Sequence, residues 1–220
     1  MKTPTAHTII AIDGPAASGK SSVARELARR LGFVYVNSGA MYRVMTWLVL
    51  ERGIPAEDAA AIERLAENEP LTCELRDHDS VVLVDGIDPA PFLREDRVND
   101  NVSTVSSVPR VREIMVDHLR RYAETNDLVM EGRDIGSVVF PATPFKFYID
   151  ASPEVRLRRR EAQGQRDRIS ARDAADSSRR ASPLIIAEDA HVIDSSNLTI
   201  DGVVGEIIGR LKRKGLTIAP

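Results

Sequence analysis

The chain has 220 residues and a formal charge of −3, room for one sizeable core with a small appended lobe but not for two full enzyme domains. That charge balance excludes a global pull toward nucleic acid or an anionic membrane, and it leaves small molecules as the expected partners. A lone cysteine, Cys73, excludes an internal disulfide and a cysteine-based zinc site.

Taken in order, residues 8 to 13 (TIIAID) read as a short buried strand, and residues 19 to 31 place Val23, Leu27 and Leu31 at helical spacing before Gly32. A second strand is expected at residues 33 to 36, then an apolar helix at 40 to 50 that Gly53 and Pro55 end. Between residues 71 and 88, LTCEL and SVVLVDG joined by Asp77-His78-Asp79 suit a small antiparallel hairpin in an inserted lobe. A helical pattern runs from 97 to 123 around Pro109, and LVMEG (128 to 132) and FKFYIDA (145 to 151) read as further strands. Residues 152 to 180 are arginine-rich and mostly helical, AHVIDSS (190 to 196) is a last strand, and 198 to 214 a closing amphipathic helix. The opening apolar run is too short for a secretory leader and no run approaches about 18 residues, so the cytoplasm is the expected compartment. Alternating strands and helices predict an α/β fold, a mainly parallel sheet in three layers with helices on both faces and the ligand at the strands' carboxyl ends.

The strongest local signal is Gly14-Pro15-Ala16-Ala17-Ser18-Gly19-Lys20-Ser21, which meets the spacing G-x-x-x-x-G-K-[ST] between a strand and a helix. Glycines let the backbone wrap closely enough for its N–H groups to face phosphate oxygens, and the helix N-terminus adds partial positive charge. Lys20 then neutralises the β and γ phosphates and the Ser21 hydroxyl is placed to hold magnesium. The alternative is a connecting turn; a dinucleotide G-x-G-x-x-G fingerprint is absent.

A phosphate loop identifies a nucleoside triphosphate donor and leaves the acceptor open. Ser38-Gly39-Ala40-Met41-Tyr42-Arg43 opens a helix with an arginine one turn in, although taken alone a capping serine and a solvated arginine are the favoured explanation. Glu131-Gly132-Arg133-Asp134-Ile135-Gly136 follows a strand, so Arg133 and Asp134 sit at the ligand edge. Residues 156 to 180 hold nine arginines and four acids, a cluster suited to spreading phosphoryl charge in a closed site. Within it, Arg156 and Arg166 read as solvated, salt-bridged helix positions. No general base is evident, which fits a nucleoside monophosphate acceptor already ionised near pH 7. A kinase for a sugar hydroxyl would instead need a carboxylate such as Asp134 or Asp13. The histidines at 7, 78, 118 and 191 show no paired metal spacing and read as surface or loop residues.

The stretches IDGPAASGKSS, NSGAMYR, VSTVSSVPRVR, EGRDIGSVVFP, RDAADSSR and HVIDSSNLTID, met in this order, closely resemble bacterial cytidylate kinases over nearly the whole chain. The resemblance implies one P-loop kinase domain over residues 1–220, with a monophosphate-binding insert at about 65–105 and a lid at about 156–180. It implies ATP-dependent phosphorylation of CMP and dCMP with Mg2+, and a monomer is expected. ATP contacts are implied for Gly14 to Lys20, for Ser21 and Ser22, and for one of Arg158, Arg159 and Arg160, with Arg159 the residue expected. Ser38 and Arg43 are implied on the acceptor side, Arg43 at the CMP phosphate, with Ser103, Arg112, Asp134 and Arg179 reading cytosine. Arg172 and Asp176 are implied at the ribose and Arg133 between the two phosphates, so that Lys20, Arg133, Arg172 and Arg179 are the expected catalytic set. A carboxylate accepting from the cytosine amine while arginine and serine donate to N3 and O2 would penalise uracil, which reverses that polarity. Two departures from the family stand out. The stretch between Arg160 and Arg172 is shorter by roughly ten residues, and Glu131 stands where many relatives have aspartate. A small-metabolite kinase of the shikimate or gluconate type and a nucleotide-switched binding module are the competing readings.

Overall fold

Short runs such as Ile9–Asp13 and Leu128–Gly132 are apolar up to an acidic residue at or next to their carboxyl end, the composition of strands buried on both faces of a parallel sheet. The computed structural model describes residues 7–68, 71–162, 164, 169–179 and 182–217, with the backbone alone described at 169–172. Its first half contains β1 (Ile9–Asp13), α1 (Lys20–Leu31), β2 (Val34–Asn37), α2 (Ser38–Glu51), α3 (Ala59–Asn68), β3 (Leu71–Arg76) and β4 (Asp79–Val84). There follow α4 (Asp96–Val105), α5 (Pro109–Tyr122), β5 (Leu128–Gly132), β6 (Phe145–Asp150), α6 (Pro153–Ala162), α7 (Ile169–Ser178), β7 (His191–Asp194) and α8 (Ile200–Arg213).

The sheet order is β3-β4-β2-β5-β1-β6-β7. All contacts from β2 through β7 are parallel, whereas β3 and β4 form the antiparallel hairpin expected between residues 71 and 88. Asp77 and His78 turn that hairpin with φ of 50° and 65°, the paired positive values of a type I′ turn. Rather than standing apart, β4 joins the main sheet through Tyr35 opposite Asp79.

Period-two alternation divides the core between the two faces. Ile10, Ile12 and Val129 pack with Val23 and Leu27 of α1 and Ile207 and Leu211 of α8. On the opposite face Ala11, Leu128 and Met130 pack with Met41, Met45 and Leu48 of α2 and Met115 and Leu119 of α5. Each fully buried side chain of this size contributes roughly 1.5–3 kcal/mol.

Helix α3 is absent from the sequence-based expectation because its apolar stripe is thin: only Ile62 and Ala66 are buried. A five-residue π-helical segment at Ile135–Val139, just beyond β5, also escapes periodicity, since one turn carries no repeat. The histidine reading is corrected in part. His118 lies within α5 with Nδ1 3.8 Å from Cys73 Sγ, and His191 lies in β7 with Nε2 2.8 Å from Glu206. Among the described residues no group of three or more His, Cys, Asp or Glu side chains forms a metal cluster.

Candidate functional site

Strands β1, β2, β5, β6 and β7 end in Asp13, Asn37, Gly132, Asp150 and Asp194, with Asp13 opposite Gly132 and Asp150 opposite Asp194. None of these ends carries an apolar side chain, so the chain leaves the sheet along one edge, and the connecting loops gather there. A cavity of about 840 Å³ opens on that edge, lined by nine arginine and lysine residues and three carboxylates. That excess of positive charge selects an anionic ligand.

The phosphate loop lies between β1 and α1. A Cβ at Gly14 would sit 2.1 Å from the Ile149 carbonyl oxygen of β6, so only glycine lets the loop pass this close to the neighbouring strand. Ala17 and Gly19 adopt φ of 59° and 90°, the curl that returns the chain to the start of α1. Ala16, Ala17, Gly19, Lys20, Ser21 and Ser22 line the cavity, whereas Gly14, Pro15 and Ser18 shape the loop from behind. Lys20 is buried, and its Nζ donates to the Pro15 carbonyl at 2.9 Å.

Opposite the loop, Asn37 caps α2 by accepting the Ala40 N–H at 3.0 Å. Ser38, the alternative cap in the sequence, is instead the first helical residue and donates its hydroxyl to the Glu131 carbonyl at 2.9 Å. One turn later Arg43 Nη1 donates to the Leu93 carbonyl and to Asn99 Oδ1, both at 2.8 Å. Arg112 is buried on α5, with its guanidinium paired to Asp134, bonded to the Ser106 carbonyl at 3.1 Å, and lying 5.0 Å from the Tyr42 ring centre. Burial pushes the Tyr42 hydroxyl up to about 12, with Arg112 opposing.

Asp176 of α7, 2% exposed, is the junction between the two halves. It accepts from Arg133 Nε at 2.8 Å and from the Ser103 hydroxyl at 3.2 Å, and it pairs with Arg179. Arg133 Nη1 also donates to the Gly14 carbonyl at 2.8 Å, so one side chain spans from the phosphate loop to α7. Burial lowers the Arg179 pKa, with Asp176 opposing. Ser103 sits against Asp176 and does not itself line the cavity, unlike Ser38, Arg43, Arg112, Arg133, Asp134 and Arg179. The Arg172 side chain lies outside the described residues, as does Arg166.

The arginines of α6 separate by environment. Arg158 is exposed, Arg160 lines the cavity, and Arg159 docks on the loop, donating to the Ser18 carbonyl at 3.0 Å. The solvated reading of Arg156 is corrected: its side chain is 14% exposed, pairs with Asp173 and donates to the Ala16 carbonyl at 3.3 Å. Its helical spacing suggested solvent because nothing local announces that Asp173 and the phosphate loop meet this face of α6.

Two acids gain definition. Both oxygens of Asp13 accept backbone N–H groups, from Ile135 and Gly136 at 2.8 Å each, so this carboxylate anchors the π-helical turn instead of facing a hydroxyl. Glu131 is buried at the cavity wall and accepts from the Tyr35 hydroxyl at 3.1 Å. Sequence reasoning missed three contributors at this edge: Asp173, Ser195 and Asn37. Asn37 carried a signal, since asparagine before a helix is a preferred cap.

Residues 10–213 match the family model described as Cytidylate kinase. A cytidylate kinase of Desulforamulus reducens is 43% identical over 215 residues, covering 93% of this chain and 96% of the relative. One of Mycobacterium leprae is 44% identical over 218 residues, covering 94% and 96%. Among solved structures, a shikimate kinase from Acinetobacter baumannii in complex with shikimate aligns over 96% of both chains at 15% identity and a TM-score of 0.47, a likeness too low to place the chain.

Proposed function

The chain belongs to the cytidylate kinase family, and we propose that it transfers the γ-phosphoryl group of ATP directly, in line, to CMP and dCMP. The observation that carries this reading is one cavity joining a phosphate loop to a second set of arginines and to a buried Arg112–Asp134 pair. A triphosphate switch needs only the first of these.

On this reading Lys20 and the loop amides hold the donor phosphates, and Arg43 holds the acceptor phosphate. Arg133, anchored between Gly14 and Asp176, lies where charge develops between donor and acceptor. Arg172 and Arg179 complete the catalytic set, with Asp176 and Arg172 at the ribose. Asp134 accepts from the cytosine amine, while Arg112, Arg179 and Ser103 complete the base site. The acceptor oxygen is already ionised near pH 7, so no general base is needed.

Magnesium fits the donor set. Ser21 is exposed at the first turn of α1 and lines the cavity, as Glu131 does, and Mg2+ in such sites takes one or two protein oxygens with phosphates and water. Ser21 would hold it, and it would neutralise charge on the β and γ oxygens. We assign the insert to residues 65–105 and the lid to 156–180 of a single kinase domain, acting as a cytoplasmic monomer. No described helix is long and apolar enough to cross a membrane.

The test is a coupled assay across CMP, dCMP, UMP and AMP, with Lys20→Ala as control. Phosphorylation of CMP and dCMP well above UMP is expected, together with loss of transfer in the variant. Equal or better turnover of AMP would sink the base assignment, and full transfer by Lys20→Ala would sink the donor assignment.

A further inference from the structure

Resting on the reading that Arg159 serves ATP, we propose that Ser195 is the positioning residue that holds Arg159 in the donor site. Ser195 follows β7 and is 3% exposed, and its backbone N–H donates to the Asp150 carbonyl at 2.8 Å, which continues the β6–β7 ladder by one residue. Its hydroxyl donates to the Ser18 carbonyl of the phosphate loop at 2.8 Å and accepts from Arg159 Nη1 at 3.0 Å. Its carbonyl accepts from Arg159 Nη2 at 2.8 Å. Two nitrogens of the guanidinium are therefore held by a single residue, and the hydroxyl spends its one proton on the loop.

The consequence is geometric. Arginine is long and rotamer-rich, and both Arg159 and Arg160 of α6 reach the cavity, so helix position alone does not fix where the Arg159 guanidinium docks. The Ser195 fork fixes it. Arg159 then passes close over Gly19, where a Cβ would be 3.4 Å from Nη1, and both Arg159 and Ser195 line the cavity with Leu198 and Thr199 of the following loop. The end of β7 thus ties lid helix and phosphate loop together on the donor side, far in sequence from both.

The test compares Ser195→Ala, Ser195→Thr, Arg159→Ala and the Ser195→Ala/Arg159→Ala double variant, varying ATP and CMP in turn. One hydrogen bond to a charged group corresponds to about tenfold in binding. The expected result is a KM for ATP raised about tenfold in Ser195→Ala, with KM for CMP and kcat within twofold, and recovery in Ser195→Thr, which keeps the hydroxyl. In the Arg159→Ala background Ser195→Ala should add nothing. An unchanged KM for ATP in Arg159→Ala overturns the Arg159 reading and the Ser195 role with it. If Arg159→Ala raises that KM and Ser195→Ala does not, or if Ser195→Ala adds its full factor in the double variant, the Ser195 role alone falls. Should Ser195→Ala give no folded protein by circular dichroism, Ser195→Cys, a weak hydrogen bonder of similar shape, carries the same comparison.

Discussion

Asp173 of α7 accepts the backbone N–H of Ala16 in the phosphate loop at 3.0 Å, while its other oxygen pairs with Arg156, which in turn donates to the Ala16 carbonyl. Both polar groups of one loop residue are therefore held by side chains of α6 and α7. A carboxylate at this amide either braces the loop for phosphate or competes with it, and the two roles have opposite kinetic signatures.

We expect bracing. Asp173→Ala should lower kcat/KM for ATP about tenfold, the worth of a charge-assisted bond, with KM for CMP within twofold. Asp173→Asn, which keeps an acceptor for the amide but loses the ion pair, should fall between. Initial rates at saturating CMP provide the measurement, and a tighter KM for ATP in Asp173→Ala would mean that the carboxylate competes with phosphate.

Asp13 should give the fold a pH slope. Burial pushes its carboxyl from 3.8 up to about 7, against two backbone N–H bonds that pull it down. Between these values the folded chain keeps a proton that the unfolded chain has lost. The stability this confers is complete below about pH 4 and is lost as pH rises through about 7, by up to about 1.4 kcal/mol per pH unit. Asp13→Asn has no charge to titrate and should lack that slope, although its amide nitrogen cannot accept the second N–H and lowers its absolute stability. Urea unfolding of both proteins from pH 4.5 to 8 would check this, and parallel profiles would show a carboxylate ionised throughout.

Two glycines in unusual backbone positions should respond differently to alanine. At Gly14 the added Cβ meets the Ile149 carbonyl at 2.1 Å, and β1 and β6 must separate to admit it. At Gly32, φ is 68° and nothing lies within 4 Å, so only left-handed strain remains. Gly14→Ala should cost about 3 kcal/mol, near 10 °C in Tm for a domain of this size, and Gly32→Ala about 1 kcal/mol. Calorimetry of the pair would test it, with equal losses counting against the close strand approach.

The strands and most helices were legible because burial on two faces and the 3.6-residue period leave marks within ten residues. Ile9–Asp13 and Leu128–Gly132 stand where the apolar runs place them. Helix α3 was not legible, since so little of it is buried, and the turn at Ile135–Val139 is too short to show a period. Arg156 was misread because arginine spacing on a helix looks the same whether that face meets water or another helix.

What the sequence by itself determined was the phosphate loop at Gly14 to Ser21, the parallel architecture and the family. These rest on local spacing, or on several motifs kept in order, and neither depends on how distant segments pack. What only the tertiary structure decided was how side chains are partnered around the cavity. Ala16 and Asp173 are 157 positions apart and Ser18 and Ser195 are 177 apart. A hydrogen bond across such a separation leaves no periodic trace, because it exists only once the sheet has brought the carboxyl ends of β1, β6 and β7 to one edge. Where the Arg159 guanidinium docks follows from that convergence, since the acceptors that hold it come from the end of β7 and the phosphate loop rather than from the helix that carries it.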